Sequence, residues 1–209
     1  MKSLDERKSS AGFSLVELMV TMTILLIIMG IATSLFSRSL NTKSRESSKT
    51  DAQTAAQAAL NVMSREIANS GYGLVGNGLA ANSERQLLHF FSNVGNHNDT
   101  LTDAGENVTY FFEPTTQSIL RHDANANGGV GETSIIINRI SNVDFQYFDY
   151  AGANPVPVGP NNLPTTNTGR VRIVLTVVME QVMNQVNPNA VVLTSDVTIR
   201  NADYMLRNY

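Results

Sequence analysis

At residues 13–36 the chain reads FSLVELMVTMTILLIIMGIATSLF. Glu17 is the only charged residue in this stretch, and the uncharged run 18–36 covers 19 residues. As an α-helix this run is about 28 Å long, close to the thickness of the hydrocarbon core of a bilayer. A soluble helix of this length would show a polar stripe, which its four scattered Thr and Ser residues do not form. The stretch therefore predicts a membrane helix or a signal sequence.

Three interpretations of this stretch compete. A secretory signal would end in a small-x-small cleavage site, and Gly30-Ile31-Ala32 is a passable one. A plain signal anchor would need no cleavage site. Neither explains Glu17, because a carboxylate in an apolar span costs about 2.5–3.5 kcal/mol at the bilayer centre and somewhat less near its edge. An acid at this position indicates a function and requires a partner.

The third interpretation supplies that partner. Residues 12–20, GFSLVELMV, closely resemble the processing motif of type IV pilins and type II secretion pseudopilins. The resemblance implies that a prepilin peptidase cleaves between Gly12 and Phe13, and that the new terminal amine of Phe13 is methylated. It also implies that Glu17, the fifth residue of the mature chain, faces the terminal amine of a neighbouring subunit. Two buried opposite charges can satisfy each other where either alone is costly.

Helical features extend well beyond the apolar stretch. No proline precedes Pro114, and Gly30 is the only glycine within residues 13–70, so these 58 residues can form one helix. From residue 52 onward apolar residues recur three and four apart, as on a helix that packs against a globular domain. This apolar stripe consists of Ala52, Ala55, Ala56, Ala59, Met63 and Ile67. We expect the helix to end at Gly71-Tyr72-Gly73.

Beyond residue 80 apolar and polar residues alternate, which predicts strands. The predicted strands cover residues 86–91, 107–112, 117–122, 132–140, 143–150, 170–180 and 191–200. Residues 151–168 hold four of the six prolines and predict a long surface loop, and Asn187-Pro188-Asn189 suits a hairpin turn. Strands that all follow one long helix predict an α+β fold with an antiparallel sheet.

This organisation is the pilin architecture that the resemblance implies. It comprises a leader peptide at residues 1–12, a long helix at 13–70 and a globular antiparallel β domain at 71–209. Within the helix, residues 13–36 would span the membrane and residues 37–70 would be amphipathic. The helix end at residues 64–72 and the strands around residues 145 and 173 look most like those of the PilW and PulJ/GspJ groups of minor pilins and pseudopilins.

One loop resembles the start of a calcium-binding loop. In residues 123–128, DANANG, oxygen ligands alternate and a glycine allows a turn. The twelfth position of such a loop should be acidic but is Ser134, and an acid comes two residues earlier. The candidate calcium ligands are therefore Asp123, Asn125, Asn127 and Glu132. The alternative, which the sequence favours, is an Asn- and Gly-rich hairpin turn and a chain without a cofactor.

The composition excludes several kinds of catalytic site. The chain has no cysteine, which excludes disulfides, thiolate metal sites and cysteine nucleophiles. No nucleophile-elbow, zinc-protease or P-loop motif occurs. The three histidines, His89, His97 and His122, share no metal-ligand spacing. We therefore expect that the chain is not an enzyme.

The distribution of charge bears on nucleic acids and on membranes. After Lys49 the chain carries eight Arg against fourteen Asp and Glu, so no nucleic-acid partner is expected unless several arginines converge. The arginines that would have to converge are Arg170, Arg172, Arg200 and Arg207. Three basic residues precede the apolar span and four follow it closely, so the positive-inside rule does not select an orientation. The cluster after the span fits either lipid headgroups or a solvated helix face.

The resemblance implies a non-catalytic subunit that waits in the bacterial inner membrane with its bulk in the periplasm. It would then enter a type IV pilus or a type II secretion pseudopilus. The implied partners are prepilin peptidase, other minor subunits, the major subunit and, before assembly, the inner membrane. The alternative is a membrane-anchored or secreted binding protein or enzyme whose leader resembles the motif by coincidence. That alternative predicts an uncleaved chain or one that begins near Thr33.

Overall fold

A computed structural model describes residues 12–95, 100–150, 152–159, 163–178 and 190–207 of the chain. The chain divides into two compact units, Met1–Glu46 and Ser47–Tyr209. One long helix, α1 (Leu15–Ala68, 54 residues), supplies residues to both units. The long helix that the sequence predicts is thereby confirmed, and each of its ends lies two residues inside the expected range of 13–70.

In the first unit, α1 carries no charged side chain from residue 18 to residue 36 and is apolar on all sides there. Its side chains from residue 15 to residue 36 are all exposed. The hydroxyls of Thr21, Thr23 and Thr33 donate to backbone carbonyls three or four residues earlier, at 2.9, 2.8 and 2.7 Å. These bonds satisfy the hydroxyls without water, which is what a helix in lipid requires.

In the second unit, α1 buries one stripe of side chains. The buried residues recur at spacings of three and four and are Ala56, Ala59, Leu60, Met63 and Ile67. Ala52 is partly buried against the same core, whereas Ala55, which was expected in the stripe, is exposed. A helix turns by about 100° per residue, so Ala55 is rotated away from Ala56 at the centre of the stripe.

Eight strands follow the helix in the described residues. They are β1 (Leu87–Phe91), β2 (Asn107–Glu113), β3 (Ser118–Asp123), β4 (Glu132–Ile137), β5 (Ile140–Tyr150), β6 (Pro155–Pro157), β7 (Thr168–Val178) and β8 (Ala190–Thr198). They form two four-stranded antiparallel sheets, with the orders β1-β2-β3-β4 and β6-β5-β7-β8. A single helical turn, α2 (Ala126–Gly129), connects β3 to β4, and a short helix, α3 (Asp203–Arg207), follows β8.

A long apolar helix followed by antiparallel sheets makes an α+β fold with a pilin-like layout, which confirms the predicted fold class. In the second unit the buried stripe of α1 shares one hydrophobic core with inward-facing residues of both sheets, among them Tyr110, Phe145 and Ile173. Burial alternates along β7 from Val171 to Val177, as its period-two pattern predicts.

The division into two sheets was not predicted. The predicted strand at 132–140 breaks because β4 ends at Ile137 and Arg139 turns the chain with a φ of +60° before β5 begins at Ile140. Part of the predicted loop at 151–168 forms β6, an edge strand, where proline costs the sheet no hydrogen bond on the open side. The predicted hairpin turn at residues 187–189 lies outside the described residues.

A glycine-rich loop connects the end of α1 to β1. The amide of Gly71 donates to the carbonyl of Phe91 at 2.8 Å, and the amide of Phe91 donates to the carbonyl of Gly78, also at 2.8 Å. Gly71 and Gly78 have φ values of +76° and +71°, which glycine adopts without strain. A Cβ atom on Gly71 would lie 2.7 Å from the carbonyl carbon of Asn77, so the close approach also requires glycine.

Candidate processing and assembly segment

The Gly12–Phe13 peptide bond lies just outside the first turn of α1. The helix begins at Leu15, and its first backbone hydrogen bond runs from the amide of Leu18 to the carbonyl of Ser14 at 3.1 Å. Phe13 is 82% exposed, and among the described residues none except the chain neighbours of Gly12 comes within 4 Å of the place where a Cβ atom on Gly12 would stand. The Gly12–Phe13 bond therefore lies in an exposed, non-helical segment.

Glu17 lies in the first turn of α1. The amino end of a helix carries the positive end of the helix dipole, which stabilises a carboxylate by about 0.3–1 kcal/mol at an exposed site. Glu17 is exposed, and it is the only acidic residue in the apolar stretch. Phe13 precedes it by four residues, so a new amine at Phe13 would lie close to the same helix end.

Helix α1, whose first turn carries Glu17, is long and apolar enough to cross a membrane. It is the one such helix among the described residues, and none of its most apolar 18-residue window is buried. A core helix of a soluble protein would be mostly buried. This surface is therefore suited to lipid or to the apolar helices of neighbouring molecules.

The sequence family described as the prokaryotic N-terminal methylation motif matches residues 7–33. The match includes Gly12, Phe13 and Glu17, and it covers about the first third of α1. A comparison of the chain with curated proteins gave no match. The match supports a type IV pilin-like or pseudopilin precursor that prepilin peptidase processes and that assembles with other pilins.

The candidate calcium loop forms the turn between β3 and β4. Asp123 is buried, and its carboxylate accepts hydrogen bonds from the amides of Gly105 at 2.7 Å and Asn125 at 3.2 Å. The carboxylate also accepts a hydrogen bond from Nη1 of Arg121 at 3.4 Å. The side-chain amide of Asn125 donates to the carbonyl of Leu101 at 2.7 Å. The Asp123 carboxylate is thus occupied by protein donors.

The other two candidate ligands occupy the same hairpin. Asn127 has a φ of +53°, which suits a tight turn, and Glu132 is exposed and pairs with Asp123 across the β3–β4 ladder. Within the described ranges, no three His, Cys, Asp or Glu residues form a group that could hold a metal ion. The calcium site stays a prediction, and the geometry is that of a hydrogen-bonded hairpin turn.

Two of the histidines make polar contacts in strands. The ring of His89 lies 2.9 Å from the side-chain oxygen of Asn82 and 2.8 Å from that of Asn107. The Nδ1 atom of His122 lies 2.9 Å from the hydroxyl of Thr133. His97 lies outside the described residues. These contacts are what structural histidines on a sheet surface make.

The arginines that could form a phosphate-binding patch are partly gathered. The guanidinium groups of Arg170 and Arg172 lie over the ring of Phe148, at 4.3 and 5.2 Å from its centroid. Arg172 also forms a two-point salt bridge with Asp196, at 2.7 and 3.0 Å, and this hydrogen bonding lowers the pKa of Asp196. Arg207 lies in α3. Asp196 neutralises part of the positive charge of these arginines. The absence of a nucleic-acid partner stays our prediction.

A groove in the second unit was missed by the sequence analysis. It has a volume of about 840 Å³ and lies between the end of α1, strand β8 and helix α3. Arg65, Arg200 and Leu206 are among its lining residues. The amide of Arg200 donates to the carbonyl of Ala68 at 3.1 Å, which joins two of the lining residues. No local pattern could reveal the groove, because its walls are far apart in sequence.

Proposed function

We propose that the chain is a minor pilin or pseudopilin of the PilW or PulJ/GspJ type. In this proposal it is a non-catalytic subunit of a type IV pilus or of a type II secretion pseudopilus. The observation that carries the proposal is a complete processing motif at the head of an exposed apolar helix whose second part is the core helix of a β domain. An ordinary signal peptide would not continue into a core helix.

Processing comes first. Prepilin peptidase hydrolyses the peptide bond between Gly12 and Phe13, which releases the leader and leaves a free amine on Phe13. That amine is then methylated. The exposed, non-helical position of the bond supports this step, because the peptidase can reach it without disturbing α1.

Assembly follows from the surface of the apolar helix. In the membrane its side chains contact lipid, and in a filament they contact the same helices of neighbouring subunits. Glu17 and the Phe13 amine of a neighbour compensate each other's charge and set the axial register. The β domain lies in the periplasm or at the filament surface and contacts other minor subunits and the major subunit.

The amino terminus of the mature chain tests the proposal. The full chain is expressed with and without a prepilin peptidase, and its terminus is determined by mass spectrometry. We expect a methylated Phe13 only with the peptidase. A Gly12→Val variant should remain uncleaved, while the matched Gly30→Ala variant should be cleaved normally. A terminus at Met1 or near Thr33 in the presence of the peptidase would contradict the proposal and favour the coincidental leader.

The role of Glu17 needs a separate experiment. Glu17→Ala and the isosteric Glu17→Gln are each co-expressed with the other filament subunits. We expect both variants to be processed, because the scissile bond is unchanged, but to be incorporated poorly, because the neighbour's amine loses its counter-charge. The readout is the ratio of subunit in sheared filaments to subunit in membranes. Normal incorporation of both variants would remove the register role from Glu17.

A further inference from the structure

A basic segment directly follows the apolar span. Between Ser37 and Thr50 the chain carries four cations and a single acid, Glu46, which gives a net charge of +3. The cations are Arg38, Lys43, Arg45 and Lys49. The chain after Lys49 is acidic, with eight Arg against fourteen Asp and Glu. Positive charge is thus concentrated where the helix leaves the hydrocarbon region.

The backbone of Arg38 stands at the height of the lipid headgroups, and the backbones of Lys43 and Arg45 stand a few ångströms beyond them. Counting from Phe36, helical rise places Arg38 about 3 Å, Lys43 about 10 Å and Arg45 about 13 Å beyond the last apolar residue. The headgroup region of one leaflet is about 5–8 Å thick. Helical side chains tilt toward the amino end of their helix, which here is the end in the bilayer. The long side chains of Lys43 and Arg45 therefore reach back toward the phosphates.

These cations lie on two sides of the helix and are accessible. At about 100° per residue, Arg38 and Arg45 share one side of α1, and Lys43 lies about 140° away. All three are exposed. In the described part of the chain, the observed salt bridges engage other residues than Arg38 and Lys43. We call Arg38, Lys43 and Arg45 the basic collar.

We infer that the basic collar binds the phosphate groups of anionic phospholipids. A cation near an anionic membrane surface gains about 1 kcal/mol, and arginine can also engage two phosphate oxygens at once. The proposed function places the collar in the periplasmic leaflet, where the positive-inside rule gives cations no advantage. In that leaflet the negative phosphates of anionic lipids compensate the positive charge of the collar. Only this choice of leaflet rests on the proposed function; lipid binding itself rests on the helix and its charges.

The experiment uses the full chain in vesicles. The chain has no cysteine, so a Ser34→Cys variant provides one dye site within the acyl region. The vesicles contain brominated phosphatidylglycerol or brominated phosphatidylcholine, which quench the dye when they contact the helix. We expect about fivefold preference for phosphatidylglycerol at low salt. The preference should fall toward unity in 1 M NaCl, where the screening length is about 3 Å.

Matched variants locate the effect. Arg38→Gln with Lys43→Gln should reduce the preference to below about twofold. Lys49→Gln removes one positive charge, half the change of the double variant, at 13 residues past Phe36, about 20 Å of helical rise, and should leave the preference unchanged. Replacing chloride by phosphate at constant ionic strength should also leave it unchanged, because the site recognises lipid.

Three results would each overturn the inference. The first is equal quenching by both lipids at low salt. The second is equal loss of preference in Lys49→Gln and in the double collar variant, which would reveal a general charge effect. The third is specific displacement of the lipid by inorganic phosphate, which would reveal a soluble anion site. None of these results depends on leader cleavage or on filament assembly, so the proposed function would stand or fall separately.

Discussion

Glu66 joins α1 to the first sheet through a polar contact in the core of the second unit. Its Oε2 atom accepts hydrogen bonds from the hydroxyl of Tyr110 on β2, at 2.6 Å, and from Nε of Arg121 on β3, at 2.9 Å. Tyr110 is fully buried, whereas the side chains of Glu66 and Arg121 are 29% and 19% exposed. Glu66 lies two residues before the end of α1 and so holds the helix end against the sheet.

The structure gives a magnitude for Glu66→Ala. The buried hydroxyl of Tyr110 loses its acceptor, which costs about 1–3 kcal/mol. Arg121 keeps its contact with Asp123 at 3.4 Å and some access to water, so its loss is at most about 1 kcal/mol. We expect a fall of about 2–3 kcal/mol in the free energy of unfolding. Tyr110→Phe alone removes one hydrogen bond and should cost about 1 kcal/mol, because Glu66 retains Arg121.

A double-mutant cycle separates this mechanism from a general loss of packing. In Glu66→Ala with Tyr110→Phe the buried hydroxyl that lost its acceptor is removed as well, so the second change should cost nothing further or restore stability. The assay is urea unfolding of the full chain in non-denaturing detergent, followed by far-ultraviolet circular dichroism. Glu132→Ala, the loss of an exposed acid, is the control and should stay within about 0.5 kcal/mol of the parent. Additive costs in the cycle would refute the reasoning.

Three further predictions use the same unfolding assay. Gly71→Ala should cost at least about 2 kcal/mol, because it combines a positive φ with a backbone clash. Gly76→Ala shares the positive φ but has open space and should cost less; equal costs would contradict the clash. Asn77→Ala should cost about 2–3 kcal/mol of unfolding free energy, because the buried side-chain amide of Asn77 donates to the carbonyls of Thr165 and Thr168, each at 2.8 Å. A cost below about 0.5 kcal/mol would contradict this prediction. Burial, aided in Tyr110 by Glu66, raises the pKa of Tyr110 and of Tyr147 above the usual value of about 10. The folded state then holds two protons that the unfolded state releases, so the contribution of these two tyrosines to stability should be constant below about pH 10 and fall above it by about 2.7 kcal/mol per pH unit. Tyr110→Phe should halve that slope, and an unchanged slope would contradict the assignment.

The features that sequence could predict are those with local determinants. The helix from residue 15 to residue 68 is encoded by the absence of proline, by one glycine and by an apolar pattern that changes after residue 50. The alternation along β7 likewise marks its buried face directly. The candidate processing residues Gly12, Phe13 and Glu17 lie within six consecutive positions, so one short motif is sufficient to identify them.

The features that sequence could not predict join distant residues. Glu66 meets Tyr110 and Arg121 across 44 and 55 residues, and periodicity assigns each to a face without naming its neighbour. The groove beside α1 and β8 could not be predicted for the same reason, because its walls are far apart in sequence. The loop at residues 123–128 poses a different problem, because a tight turn and a calcium loop both use Asp, Asn and Gly. Only the directions of the side chains distinguish the two, and Asp123 is bonded to protein donors.

Under the proposed function, cleavage at Gly12 changes the charge at the helix amino end and thereby couples processing to assembly. Before cleavage, Glu17 lies in the first turn with the helix dipole as its compensation. Cleavage adds an ammonium group at Phe13, at the same positive helix end, where the dipole disfavours it. Each subunit then carries a cation and an anion that a neighbour can neutralise in the apolar bundle. A chain that keeps its leader lacks the cation. Its exclusion from the filament would follow from charge as well as from the leader's bulk, and acetylation of the Phe13 amine should exclude a correctly cleaved chain for the same reason.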